Sequence, residues 1–367
     1  MNKYWIILSC LTLSLSACYA GSGLKPQESS LESPQTITIN GNTTNYNKIV
    51  TYKNQPCVLA QKYNNNNLPD TSLICKSTGA WQILISSLSA GKESKTIIDD
   101  NDDIYIVYLD DDSRLSIKTI NPATSTSQNL TSSSIISKKN LYDLQLQIVN
   151  HELYLAYISY NPDELLLQKY DKSTNSLKLI KAFNNINIVE GHNSSLLINS
   201  PELYLFYPDI SGKYSIYNIN VAKNTIEDLS QLANLSIDTI PLKILHDAPK
   251  TYLFFFNSDE KTINISELGT NQLHIVSQIT ANSISSDLFA ATSDGYGKVS
   301  IAFIDTEKDN VMHCLSYDNN KNSWKEISSN NTISPTAIDF INKNLILVSQ
   351  DMLDSQKINI DQFKAVV

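Results

Sequence analysis

The chain has 367 residues, 41% of them hydrophobic, and 28 basic against 37 acidic side chains give a formal charge of −9. This acidic balance lacks the basic footprint of a nucleic-acid-binding protein. Arg114 is the single arginine, so no cluster of guanidinium forks can form around a carboxylate substrate.

The first residues read as an export signal. Lys3 precedes an apolar stretch, Tyr4 to Leu15, of the length of a signal h-region and short of the roughly 20 apolar residues of a membrane-spanning helix. The stretch closes on Leu15-Ser16-Ala17-Cys18. This resembles the lipobox of bacterial lipoproteins, in which the cysteine is lipidated and becomes the first residue. The resemblance implies a signal peptide over 1–17 and an acylated Cys18 held in the lipid bilayer. Tyr19, in place of an aspartate, implies sorting to the outer membrane. Ordinary cleavage after Ala20 is the rival reading. Removal of the signal takes Lys3 and Cys10 away, and the charge becomes 27 − 37 = −10. Two or more acyl chains, at about 0.8 kcal/mol per buried methylene, would make the anchor effectively permanent. Residues 18–35 hold Gly21, Gly23, Pro26, Pro34 and several serines, a composition that suits a flexible tether.

From Thr36 onward the segments are strand-like, with little alanine and much Tyr, Ile and Thr. One apolar run recurs, clearest as Leu203-Tyr204-Leu205-Phe206-Tyr207-Pro208-Asp209. Its copies start at residues 57, 104, 153, 203, 251, 299 and 345, at spacings of 47, 49, 50, 48, 48 and 46. Such a period means one supersecondary unit repeated. Each repeat divides into four strands. In the third, these are Tyr142–Val149, Leu153–Ile158, Leu165–Tyr170 and Leu177–Ala182, separated by turns such as Asn161-Pro162-Asp163. The second strands are apolar on both faces, as a strand between two neighbouring sheets must be. Seven repeats of four antiparallel strands predict an all-β, seven-bladed β-propeller over 36–367.

The last repeat runs out of chain after its third strand, while Thr36-Ile37-Thr38-Ile39-Asn40 is spare at the other end. That strand is predicted to close the ring as the outer strand of the last blade, which removes an exposed edge and suits a monomer. The competing arrangement folds Phe363 to Val367 back into the same place.

The repeats resemble the sialidase-like, BNR-type propeller repeat, with Ser300-Ile301-Ala302-Phe303-Ile304-Asp305, then Tyr317-Asp318-Asn319-Asn320 and Trp324 in the sixth, and Gly79-Ala80-Trp81 in the first. The resemblance spans about residues 44–362 and is one of pattern. No Asp-box is intact: Thr292-Ser293-Asp294-Gly295-Tyr296 has the wrong order and falls between first and second strands. The arginine triad that holds the substrate carboxylate in sialidases cannot be built from Arg114 alone, which removes that activity.

No phosphate loop, dinucleotide fingerprint or serine elbow is present, and no catalytic residue is assigned. His151, His192, His246, His274 and His313 show no metal-ligand spacing. Pairing of Lys62 near Thr71 would bring Cys57 within about one residue of Cys75, a candidate disulfide; the alternative is two buried thiols. Cys314 has no evident partner and reads as a buried small residue.

Strand alternation puts every second-to-third-strand turn on one face. Those turns carry Asp70, Asp110, Asp111, Asp112, Asp163, Glu164, Asp209, Asp259, Glu260, Asp305, Glu307, Asp309, Asp351 and Asp354, fourteen of the 37 acids, with Lys308 the only base. Such a ring suits a basic protein surface or a divalent cation such as Ca2+; no other cofactor is expected. Aspartate is also simply a good turn residue. Lys92, Lys95, Lys138 and Lys139 are expected on fourth-to-first-strand connections of the same face, where they would offset part of the charge. The functional expectation is a non-enzymatic binding or scaffold propeller in the cell envelope. The alternative is a carbohydrate-binding or carbohydrate-active propeller, with cross-blade carboxylates as the catalytic groups of a hydrolase.

Overall fold

The computed structural model describes residues 35–364 except 40, 89–90, 111–113, 122–125, 136–141, 160–163, 185–202, 209–212, 222, 224, 231–238, 248–249, 270–272, 285–287, 308–310, 319–322, 331–332, 342–343 and 352. The expected signal peptide, Cys18 and tether fall outside these residues, apart from Gln35. Strand β1 (Gln35–Thr38) comes first. The first blade is β2 (Asn42–Tyr52), β3 (Gln55–Tyr63), β4 (Pro69–Ser77) and β5 (Ala80–Ile85). The second is β6 (Lys92–Ile98), β7 (Ile104–Leu109), β8 (Arg114–Asn121) and β9 (Thr126–Ile135). The third is β10 (Tyr142–Val149), β11 (Glu152–Ser159), β12 (Glu164–Asp171) and β13 (Ser176–Phe183).

Three strands of the fourth blade are described, β14 (Leu203–Pro208), β15 (Tyr214–Asn220) and β16 (Thr225–Asp228). The fifth is β17 (Thr239–Asp247), β18 (Lys250–Asn257), β19 (Thr262–Leu268) and β20 (Leu273–Thr280). The sixth is β21 (Phe289–Ser293), β22 (Lys298–Asp305), β23 (Val311–Asp318) and β24 (Ser323–Asn330). The seventh contains β25 (Ile333–Ile341), β26 (Asn344–Asp351) and β27 (Lys357–Lys364). Each blade is an antiparallel meander in chain order, and the seventh has the order β1-β27-β26-β25. This is a seven-bladed β-propeller.

Packing between blades explains the two-sided apolar strands. Side chains alternate across a strand, so Leu153, Leu155 and Tyr157 of β11 pack on the second blade. Tyr154, Ala156 and Ile158 of the same strand pack on the fourth. The described core is a circuit of such clusters, one for each pair of neighbouring blades, returning from the seventh to the first. No large core lies within a single blade, so each sheet depends on its neighbours.

Closure follows the first of the two expected arrangements. Gln35 to Thr38 pair with Ile360 to Lys357, and the Ile39 N–H donates to the Gln356 carbonyl at 2.9 Å. Ile39 is fully buried in the cluster joining the seventh and first blades. Phe363 belongs to β27, opposite Leu345. Gly41 carries the chain from the outer strand of the seventh blade to the inner strand of the first. It has φ +117°, and a Cβ there would lie 2.3 Å from the Tyr63 carbonyl oxygen, so only glycine fits.

Cys57 and Cys75 stand directly opposite each other on β3 and β4 and form a disulfide. The register differs by one residue from the expected one: Lys62 faces Asp70, and Gln61 faces Thr71.

Candidate functional site

Four of the described rim carboxylates are committed to donors of their own turns or of the adjoining fourth-to-first-strand connections. Asp70, buried, accepts from the Thr71 and Leu88 N–H groups at 2.8 and 3.0 Å and from Ser87 Oγ at 3.0 Å. Asp305, also buried, accepts from Asn282, Ser283 and Glu307 N–H groups and from Asn282 Nδ2. Asp110 accepts from the Arg114 N–H at 2.8 Å and Ser116 Oγ at 3.2 Å. Asp351 accepts from the Leu353 and Asp354 N–H groups. Each secures a hairpin, as short polar side chains do in turns.

Asp259, Glu260 and Glu307 are exposed on the turns of the fifth and sixth blades. Asp354 sits 2.9 Å from Lys357 Nζ, and the hydrogen bond from that ammonium holds its carboxyl below the usual range. Asp111, Asp112, Asp163, Asp209 and Asp309 lie outside the described residues, as do Lys138, Lys139 and Lys308. Lys261 corrects the expected tally of bases: it belongs to the β18–β19 turn and reaches Glu307 at 3.4 Å. Among the described residues, no group of three His, Cys, Asp or Glu side chains is arranged to hold a metal ion.

The opposite face also carries an acidic turn. The β6–β7 turn carries Asp99, Asp100, Asp102 and Asp103. Asp99 is buried and accepts from Tyr105 Oη at 3.1 Å and from Lys172 Nζ, of the third blade, at 3.2 Å. Burial and the Asp99 charge push the Tyr105 hydroxyl far above its ordinary value. Acidity is therefore not confined to the face singled out by counting turns.

The first strands of the blades lie against one another round the axis, β17 by β21, β21 by β25, β25 by β2, and β2 by β6, which also meets β10. Polar contacts link them: Thr292 Oγ1 donates to Asp339 at 2.7 Å, and Asn47 Nδ2 donates to Thr336 Oγ1 at 2.8 Å. Lys92 and Lys95 belong to β6, not to the preceding connection, because the first strand starts earlier than its apolar part.

Among the side chains described on these first strands, four are charged, Lys48 on β2, Lys95 on β6, Lys243 on β17 and Asp339 on β25. Each retains some exposed surface while the ring encloses it, as expected of side chains lining a solvent-reached channel. Lys48 lies within electrostatic range of Lys243, Asp339 and Lys95, although the first and fifth blades are not neighbours. Burial, then the Lys243 charge, brings Lys48 down to about 8. Burial likewise lowers Lys243, opposed by Asp339. Burial raises Asp339, against hydrogen bonds from Thr292 Oγ1 and the Phe340 N–H and the two lysine charges. Lys243 and Asp339 each stand between apolar neighbours on β17 and β25, whereas the polar sequences of β2 and β6 give no such signal for Lys48 and Lys95.

Two further titratable groups lie in the sixth and seventh blades. Cys314 is buried, and burial pushes its thiol up to about 12, so it is unreactive at neutral pH. Burial also lifts Asp361, on β27, from 3.8 to about 6. A carboxyl raised on folding adds stability that is complete below its unfolded value and lost as pH rises through its folded value. Asp361→Asn is thus expected to stabilise the protein at pH 7.5 by roughly 2 kcal/mol once solvent screening of its partly exposed carboxyl is allowed for. At pH 4 it should change little. Paired thermal melts at the two pH values check this, and an equal shift at both would exclude titration as the cause.

No family model matches the chain, and no curated protein matches it, so the sialidase-like resemblance rests on repeat pattern alone. Solved structures match in fold. The chain is similar to the β-propeller domain of Cps50 (Swd1) from Myceliophteria thermophila, with a TM-score of 0.56 and 9% identity, covering 91% of this chain and 98% of that one. The β-propeller domain of the Trilobed protease from Pyrococcus furiosus, described as having an open velcro topology, matches with a TM-score of 0.55 and 10% identity over 87% and 95%. Here β1 pairs with β27 across that junction. An oligogalacturonate lyase from Vibrio parahaemolyticus matches with a TM-score of 0.55 and 8% identity over 91% and 97%. At these identities the likeness defines the class of fold, a β-propeller, and nothing finer.

Proposed function

We propose that the protein is an exported bacterial lipoprotein, held at the outer membrane through acylated Cys18, whose propeller acts as a non-enzymatic binding module and as a monomer. Its partner is a protein with a basic surface, met by the acidic rim of second-to-third-strand turns. The observation that carries this reading is the exposed group Asp259, Glu260 and Glu307 on adjacent blades. Among the described residues of those two turns, Lys261 is the one compensating base. A patch of this kind steers a cationic surface and weakens with salt. The anchor is supported by Leu15-Ser16-Ala17-Cys18.

Fractionation of cells producing Cys18→Ala is expected to move the protein from the membrane to the soluble fraction; retention in the membrane rejects the anchor. Cross-linking in intact cells should capture a basic partner with the unaltered chain. Capture should fail with the combined variant Asp259→Asn, Glu260→Gln and Glu307→Gln. Equal capture by both rejects the acidic rim, and specific binding on a glycan array favours a carbohydrate-directed propeller instead.

A further inference from the structure

The four inner-wall charges are set apart from the rest of the molecule. The chain as a whole is acidic, at −9, yet the described charged side chains of its first strands are three ammonium groups and one carboxylate. Neither Lys48 nor Lys243 has a carboxylate partner within ion-pair distance among the described residues. Asp339 is instead held by Thr292 Oγ1 and the Phe340 N–H. A structural ion pair would bring the lysine and carboxylate into direct contact, because enclosed charges are costly unless paired. Here the charges are distributed round the wall, on the first, second, fifth and seventh blades. They remain partly exposed. Enclosed ammonium groups that keep some exposure concentrate anions around them.

We infer that the central channel is a binding site for a small, multiply charged anion, a polycarboxylate or a polyphosphate, bridged between Lys48 and Lys243 with Lys95 as a further contact. One negative group cannot serve lysines that approach from non-adjacent blades as well as two linked groups can. Ammonium groups suit either oxyanion, as compact point charges with rotatable donors. Asp339 works against the anion electrostatically and sets a limit on its affinity. The site is independent of the acidic rim, and either can fail without the other.

Isothermal titration of the full chain, purified in detergent, with citrate at low ionic strength is expected to show saturable one-to-one binding. Inorganic pyrophosphate titrated in parallel distinguishes a phosphate from a carboxylate ligand by which of the two binds more tightly. Lys48→Gln and Lys243→Gln should each weaken binding roughly tenfold, the loss of one charge-assisted hydrogen bond. Asp339→Asn should tighten it, a change of sign that an anion held elsewhere on the surface would not show. Lys325→Gln, exposed on β24, should leave it unaltered, and thermal melts verify that each variant is folded. Absence of saturable binding of both probes to the unaltered chain overturns the inference. So does unchanged affinity in folded Lys48→Gln and Lys243→Gln chains, and these two variants decide the matter should Asp339→Asn fail to fold.

Discussion

Deletion of residues 35–41 is expected to remove most of the stability of the propeller and to broaden its unfolding. Strand β1 supplies the outer edge of the seventh blade, and its loss would leave β27 as an open edge of unpaired N–H and C=O groups. Its larger contribution is apolar. Ile39 is fully buried, and Ile37 packs on the same cluster as Ile49, Val58, Ile74 and Trp81 of the first blade and Ile346, Val348 and Ile358 of the seventh. Burial of one such side chain contributes about 1.5–3 kcal/mol. The Gln35 side-chain carbonyl also accepts from the Trp81 N–H at 2.7 Å, tying the strand to both blades. Two isoleucines and several ladder hydrogen bonds together approach the 5–15 kcal/mol by which folded proteins are ordinarily stable. Calorimetry on the truncated chain should show a sharply lowered, less cooperative transition. A synthetic peptide of residues 35–41 added in trans should restore part of it. Ile39→Ala alone should cost about 2–5 kcal/mol. A truncated chain that melts like the intact one would mean that the junction is held by other contacts.

The second large effect concerns the disulfide. Cys57→Ala combined with Cys75→Ala is expected to lower stability by about 3 kcal/mol, from the loop closed over a sequence separation of 18. For a chain of this size that corresponds to a fall of about 4 °C in melting temperature. Both sulfurs are buried in the cluster shared by the first and second blades, with Leu59, Leu73, Ile104 and Ile106. Reducing agent should destabilise the unaltered protein by a similar amount and leave the double variant where it is. A reductant-insensitive transition in the unaltered protein, with no loss in the variant, would show that the bond adds nothing. Cys314, enclosed between the sixth and seventh blades, is not placed to exchange with it.

The blades were readable because the second strand of each is buried on both sides, so an apolar run of fixed length must return once per repeat. Closure was readable for a similar reason: a spare strand at residues 36–40 matched a missing one after β27. The disulfide followed from antiparallel pairing, within one residue. The inner wall was not readable, and β-bulges are the physical cause. The first strands shift register between Thr43 and Asn47, between Lys92 and Lys95, and between Pro241 and Lys243. One extra residue, as on β6 and β17, reverses which side chains face which way downstream of it, and the two extra residues of β2 interrupt the pairing ahead of Lys48. No alternation pattern in the sequence could therefore assign Lys48, Lys95 and Lys243 to the axis. The internal use of two rim carboxylates was not readable for a different reason. Asp70 and Asp305 sit in acidic turns, but their oxygens face backbone N–H groups of the adjoining connections, a matter of geometry that residue counts do not contain.

The pairing of β1 with β27 also fixes an order of events. Gln35 faces Ile360, a separation of 360 − 35 = 325 residues, so this contact closes a far longer loop than any within a meander. At about 5–20 residues per second, a ribosome makes the two partners roughly 15–65 s apart. Through that interval the first strand waits with Ile37 and Ile39 uncovered. The early blades can stack meanwhile, but the ring has an unfilled seam until its last strand is made. A nascent chain of this protein is consequently most exposed to misassociation at its oldest segment, not its newest.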